Sequence, residues 1–187
     1  MLRITGGTWR GRHLKAPKGD KTRPTSDMVR QAIFNLLGQT LDGGVVVDVC
    51  CGSGAMGLEA LSRGADHAIL VDRARVAVDT ARDNALLLAA QDRVTLLCAE
   101  ASRALASLPP GHAALALVDP PYALQERHGL LEALVHAVAV DGTVVFETAE
   151  EDLLEKLPPG LERVDHRTYG GTGVHILRRV AFTPTPP

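Results

Sequence analysis

No apolar run in this chain approaches the ~20 residues that a membrane-spanning helix needs, which excludes a transmembrane anchor of that kind. The opening stretch, Met1-Leu2-Arg3-Ile4-Thr5-Gly6-Gly7, lacks a signal-peptide core, so the cytoplasm is the expected compartment. Cysteine is scarce. Cys50, Cys51 and Cys98, an odd number with two adjacent, cannot make a disulfide framework. Packing as small residues suits Cys50 and Cys51 better than a redox or metal role. The seven histidines (13, 67, 112, 128, 136, 166 and 175) show no His-Glu-x-x-His or Cys/His pairing, so no metal is expected. Aromatic residues amount to only 3%. Trp9, set among cations, therefore stands out as a candidate stacking surface or as an anchor to the core.

What is there reads as one compact α/β domain, with 45% apolar and 22% charged residues in 187. A hairpin is expected over Leu2–Leu14, bent at Gly6-Gly7 and Gly11. Ser26–Leu37 has N-cap chemistry and helical spacing at Val29, Ile33, Phe34 and Leu37. Strands are then expected at 45–49, 67–71, 93–97, 113–118 and 143–147. Helices at 54–63, 73–90, 100–107 and 125–138 separate them, and a last helix is expected at 150–156. Glu162–Tyr169 and Val174–Phe182, split by Gly170-Gly171-Thr172-Gly173, read as a closing hairpin. The alternation predicts a doubly wound, mostly parallel sheet with an antiparallel C-terminal edge. The expected division is a basic N-terminal extension over 1–25, a catalytic domain over 26–182 and a frayed tail over 183–187.

Two motifs carry chemistry. Asp119-Pro120-Pro121-Tyr122 closes the apolar run Ala113–Val118, at the strand end where ligands of open α/β sheets sit. The prolines remove two N–H donors and leave carbonyl oxygens free to accept. A carboxylate and an aromatic plate beside those carbonyls suit a planar group bearing an amine, such as a nucleobase. Read in isolation, Asp-Pro-Pro is an ordinary turn signal.

Upstream, Val45-Val46-Val47-Asp48-Val49-Cys50-Cys51 leads into Gly52-Ser53-Gly54-Ala55-Met56-Gly57 and a helix. Gly52, Gly54 and Gly57 satisfy the dinucleotide fingerprint, and Asp72 follows at the end of the next apolar run, placed for a ribose diol. Asp48 argues against a dinucleotide. Its charge would oppose a pyrophosphate and favour S-adenosylmethionine, which brings an ammonium and a sulfonium. Asp48 as a cap for the loop's N–H groups is compatible with the same cofactor.

The net charge of −2 hides an asymmetry. Residues 1–30 hold Arg3, Arg10, Arg12, Lys15, Lys18, Lys21, Arg23 and Arg30 against Asp20 and Asp27, a balance of +6, while the remainder carries −8. A basic arm on an acidic domain is the footprint of a polyanion-binding extension, the plain alternative being a solvated charge run.

With its acidic strand end, Gly-rich loop, Asp72 and Asp-Pro-Pro-Tyr in that order, the chain resembles the class I amino-methyltransferases. Arg3-Ile4-Thr5-Gly6-Gly7, Arg10-Gly11-Arg12, the segment from Thr22-Arg23-Pro24-Thr25 through Val29-Arg30 to Phe34-Asn35, and Gly57–Ala65 resemble, more narrowly, the bacterial 16S rRNA guanine-N2 methyltransferases of the RsmD type. It departs from that pattern at Cys50-Cys51, where an aromatic and a small residue are usual, and at Glu100, where Asp is usual. The resemblance implies a seven-stranded methyltransferase sheet and S-adenosylmethionine held by Asp48, Cys50, Gly52, Ser53, Gly54, Asp72, Arg73, Glu100 and Ala101. It implies catalysis by Asp119, Pro120, Pro121 and Tyr122. RNA contacts are expected from Arg3, Trp9, Arg10, Arg12, Lys15, Arg23, Thr25 and Arg30. The implied partner is 16S rRNA, within a small-subunit assembly intermediate, bound by a monomer. The rivals are methylation of adenine N6 or of a protein glutamine, a nicotinamide-dependent oxidoreductase, and a non-catalytic RNA-binding module. Asp rather than Asn at position 119 leans away from glutamine, and the absence of Tyr-x-x-x-Lys or a His/Asp pair leans away from the oxidoreductase.

Overall fold

The β-branched run Val45–Val49 forms β1, at the centre of a seven-stranded sheet. In the computed structural model, residues 2–16, 27–121 and 127–182 are described. β2 (His67–Asp72), β3 (Val94–Cys98), β4 (Ala113–Val118) and β5 (Val138–Ala149) lie parallel to β1. β6 (Leu161–Tyr169) and β7 (Thr172–Arg179) form the antiparallel edge, giving the order β3-β2-β1-β4-β5-β7-β6. The order reverses between β1 and β4, where an open sheet parts its loops to make a crevice. The parallel strands are nearly continuous apolar runs because both faces are covered. On one face pack the N-terminal arm, α1 (Asp27–Leu36), α2 (Ala55–Ser62) and α3 (Arg75–Leu87), and on the other α4 (Ala101–Ala106) and α5 (Arg127–Ala137).

From Asp27 onward the expected strands and helices are present within a few residues of their predicted ends, with one exception and one extension. No helix forms at 150–156. The Asp152 carboxylate accepts the Leu154 N–H at 3.0 Å, and Leu154 turns to φ +48, which ends any helical course. Local side-chain bonds of this sort compete with the helical ladder. Arg163 then takes the Leu153 and Leu154 carbonyls, tying the segment to β6 instead. β5 is longer than expected because pairing resumes after an irregularity, with Ala113 opposite Val138 and Leu115 opposite Thr143.

The hairpin expected over Leu2–Leu14 is an antiparallel arm with a single bridge, Arg3 to His13, and a 3-10 turn at Gly7–Trp9 in place of two full strands. Ile4 N–H bonds Arg12 O and Leu14 N–H bonds Leu2 O, each at 2.9 Å. Ile4 and Leu14 are buried in the same cluster as Phe34 and Leu58, so the arm is part of the core.

A buried carboxylate fixes the arm. Glu59, on α2, accepts the Thr5 N–H and hydroxyl, each at 2.8 Å, Arg63 Nε at 2.9 Å and Arg30 Nε at 3.2 Å. Arg30 also bonds Asp27 and the Arg3 carbonyl. At Gly7, which adopts φ +73, a side chain would strike the Ser62 carbonyl, so the tight turn of the arm against α2 requires glycine.

Candidate active site

The four neighbouring parallel strands β2, β1, β4 and β5 each carry an acid at or near the C-terminal end, after an apolar run: Asp72, Asp48, Asp119 and Glu147. Side-chain alternation puts all four on the face of α2. Asp48 is 3% exposed and its Oδ2 accepts the Gly57 N–H at 2.8 Å. Burial pushes its carboxyl up to about 7, the Gly57 bond opposing the shift and the charges of Asp119 and Asp72 adding to it.

The glycines differ in purpose. A side chain on Gly57 would meet Leu70 and Asp48, so Gly57 lets α2 lie against β1 and β2. Gly52 takes φ +53 with open space where a Cβ would stand, leaving a cradle at the mouth of the loop. Asp72 shapes that loop: Oδ2 accepts the Gly52 N–H at 3.0 Å and Oδ1 the Ala74 N–H at 2.9 Å. Cys50 turns the chain out of β1 at φ +61, and Cys51 N–H bonds Val71 O. Burial, then the charges of Asp72, Asp119 and Asp48, pushes the Cys50 thiol up to about 12, so it stays protonated and has no thiolate chemistry. Burial likewise raises the Cys51 thiol.

Asp119 is half-buried, Pro120 buried and Pro121 exposed, and the Asp119 N–H reaches Val49 O at 3.3 Å, joining the Asp-Pro-Pro turn to the end of β1. Tyr122 lies outside the described residues. Ser53 is half-buried and its carbonyl accepts Asn84 Nδ2 at 2.9 Å. Glu100 is exposed and caps α4 through the Arg103 N–H, with Ala101 beginning that helix, while Arg73 is exposed beside Asp72. The set of acceptor carboxylates fits a ligand bearing positive charge and a diol. A pyrophosphate would sit among three carboxylates.

Of the expected RNA contacts, Arg23 and Thr25 lie outside the described residues. Arg3, Arg10, Arg12 and Lys15 are exposed. Three of them are tethered at the surface, Arg3 to Asp27, Arg12 to the Leu87 carbonyl and Lys15 to Asp83. Trp9 is half-buried, its backbone N–H donates to Ser62 Oγ, and the Arg93 guanidinium lies 5.8 Å from its ring centroid, so it anchors the arm. Arg30 is a correction. Its side chain is 1% exposed and is engaged by Glu59, Asp27 and the Arg3 carbonyl, which removes it from any phosphate-binding surface.

Three residues escaped the sequence reading. Glu59 was hidden as an ordinary polar position in a helix. Glu147 had a signal, the acid ending Val144-Val145-Phe146, matched by Asp48, Asp72 and Asp119. Asn84, fully buried, links arm to loop: it accepts the Lys15 N–H at 2.7 Å and donates to the Lys15 and Ser53 carbonyls at 2.9 Å.

The chain is similar over its whole length to proteins with this architecture. A family model described as conserved hypothetical protein 95 matches residues 2–178. YlbH of Bacillus subtilis is 38% identical over 183 residues, 95% of this chain and 99% of that protein. Ribosomal RNA small subunit methyltransferase D of Escherichia coli is 37% identical over 188 residues, 97% of this chain and 91% of that protein. The solved structure of the methyltransferase yhhF from Escherichia coli superposes with a TM-score of 0.85 at 29% identity, covering 97% of this chain and 99% of that one. The sheet order and antiparallel edge are those of a class I methyltransferase, a fold and family that imply S-adenosylmethionine as methyl donor. The chain belongs to the conserved hypothetical protein 95 family, that of the RsmD-type methyltransferases.

Proposed function

We propose that this protein transfers a methyl group from S-adenosylmethionine to the exocyclic N2 amine of one guanine in 16S rRNA. The observation that carries the reading is the junction of Asp119-Pro120-Pro121 with the end of β1, through the Asp119 N–H and Val49 O, one residue past Asp48 and beside the glycine cradle. Asp48 and Asp72 would hold the cofactor's ammonium and ribose, with Cys50, Gly52, Ser53, Gly54, Arg73, Glu100 and Ala101 around them. Bound there, S-adenosylmethionine supplies an electrophilic methyl group on a sulfonium.

The protein's own task is to present a poor nucleophile. Guanine's amine lone pair is delocalised into the ring. With Asp119 and the Pro120 carbonyl each accepting one N–H, the nitrogen is held with its remaining density facing the methyl group. Hydrogen bonds to charged groups contribute ~1.5–3 kcal/mol, and alignment adds more. Tyr122 stacks on the base, and Pro121 stiffens the turn. The base enters unpaired or extruded, since its amine is otherwise paired. The methylated nitrogen then loses its proton to Asp119 or water.

Exposed Arg3, Arg10, Arg12 and Lys15, with Arg23 and Thr25, bind phosphates. The arm of residues 1–25 thus serves as the RNA-binding extension of the catalytic domain of 26–182. The substrate is a small-subunit assembly intermediate in the cytoplasm, and the enzyme acts as a monomer. Mass mapping of methylated nucleosides in rRNA from a strain lacking the protein, before and after treatment with purified enzyme, tests this. The expected result is one guanosine missing its N2-methyl group and restored in vitro. An N6-methyladenosine as the modification lost and restored, or no change in rRNA, would overturn it.

A further inference from the structure

Asp72, Asp48 and Asp119 follow one another across the sheet at β2, β1 and β4, and the next strand, β5, carries near its C-terminal end an acid that none of the roles above employs. The register sets Val118 opposite Phe146, so one step further Asp119 stands beside Glu147. Neighbouring strands lie ~4.8 Å apart, within side-chain reach. Leu117 and Val145 share the α2 face, and alternation returns Asp119 and Glu147 to it. Glu147 is 4% exposed and lies within reach of the charges of Asp119 and Asp48. Arg30, the cation acting on it, is held by Glu59 and Asp27.

Resting on the guanine reading, we propose that Glu147 reads the target base, accepting the ring N1–H while Asp119 accepts the amine N–H next to it. With the cofactor side of the crevice at β1 and β2, a base offering its amine to Asp119 turns the rest of that edge towards β5. Guanine presents O6, N1–H and the amine in a row. Burial and the charges of Asp119 and Asp48 favour the protonated form of Glu147. In that form its carbonyl oxygen takes N1–H and its hydroxyl meets O6, without placing a second negative charge beside Asp119. Glu147 would thus determine specificity, while Asp119 positions the amine.

The test is a competition between two bases at the mapped position, installed in 16S rRNA by splinted ligation. Guanine carries the full edge, whereas 2-aminopurine keeps the amine but lacks N1–H and O6. Wild-type enzyme is expected to prefer guanine in kcat/KM by about 10- to 100-fold, the worth of a two-point base contact. Glu147→Gln, whose amide offers the same acceptor and donor, should retain that preference. Glu147→Leu and Glu147→Ala should bring the ratio close to one, with cofactor affinity and unfolding midpoint preserved. A Leu or Ala variant that folds and keeps the wild-type ratio would overturn the proposal. If both fail to fold, a Gln variant that loses the ratio overturns it as well. Wild-type enzyme that leaves the guanine amine unmethylated would overturn the underlying reading and this one together, an outcome visible before any variant is compared.

Discussion

Glu59 and Asp48 are buried to nearly the same degree, 0% and 3% exposed, but their carboxylates meet different surroundings. Glu59 accepts four hydrogen bonds, two of them from arginines. Among the described residues Asp48 accepts one, from the Gly57 N–H, and faces the charges of Asp119 and Asp72. The first arrangement is a joint, closing the arm, α1 and α2 on one another. The second is an electrostatic deficit, which a folded chain keeps only where something else supplies the compensating charge. Buried charge alone therefore does not mark a site; buried charge left short of partners does.

The largest effect that would sharpen this contrast is at Asp119. Asp119→Ala should lower methyl transfer by about 10³-fold, combining a charged hydrogen bond with lost alignment. Cofactor affinity measured by calorimetry should stay within about twofold. Loss of cofactor binding along with activity would make Asp119 a structural residue and blur the distinction. Next comes the joint. Glu59→Gln should destabilise the fold by about 3–5 kcal/mol in urea unfolding, because Arg30 and Arg63 then lose their buried counter-charge. A change under about 0.5 kcal/mol would mean that the network holds nothing together.

The smallest effect concerns the arm. If it neutralises about four or five phosphates, log affinity for RNA should fall with log salt at a slope of about −3, and Arg10→Ala or Arg12→Ala should each flatten it by about 0.7. Arg30→Ala should leave the slope unchanged and cost stability instead. Point changes are the right tool. Removing residues 1–20 would strip Ile4 and Leu14 from the core and take away the Lys15 backbone that Asn84 holds next to Ser53. Salt dependence untouched by any arm substitution would return the arm to a solvated face.

The parallel strands and the glycine loop were legible because hydrophobic period and turn chemistry are local properties. β1 and β4 match their predicted spans, 45–49 and 113–118, residue for residue. The helix expected at 150–156 failed because the Asp152 carboxylate accepts the Leu154 N–H two residues on, and Arg163 arrives from β6, a contact no local window contains. Arg30 was misread for a related reason. Its charge was visible in sequence, but its partner Glu59 is 29 residues away and reaches it only through the packing of α1 on α2. Thr5 from the resemblance segment Arg3–Gly7, Arg30 from the segment running to Phe34-Asn35, and Glu59 and Arg63 from Gly57–Ala65 converge on that same joint, so much of the family likeness lies in how the arm is fastened.

Asp48 gives the most direct test, because one substitution there should move stability and binding in opposite directions. Its carboxyl is pushed up to about 7, so the folded chain holds the proton more tightly than the unfolded chain does. The destabilisation this causes therefore grows as pH rises from about 4 to about 7 and is constant above. Asp48→Asn should raise folding stability by about 1–2 kcal/mol at pH 8 and have little effect near pH 4. Titrating S-adenosylmethionine calorimetrically into both proteins from about pH 5.5 to about pH 8.5 supplies the other half. Wild-type affinity should fall as pH drops below about 7, since a cationic ligand needs the ionised carboxylate, while the Asn protein should bind weakly with no such pH dependence. A wild-type affinity that ignores pH, together with an Asn variant that is less stable and binds as well, would contradict the claim that Asp48 is left short of partners for the sake of its ligand.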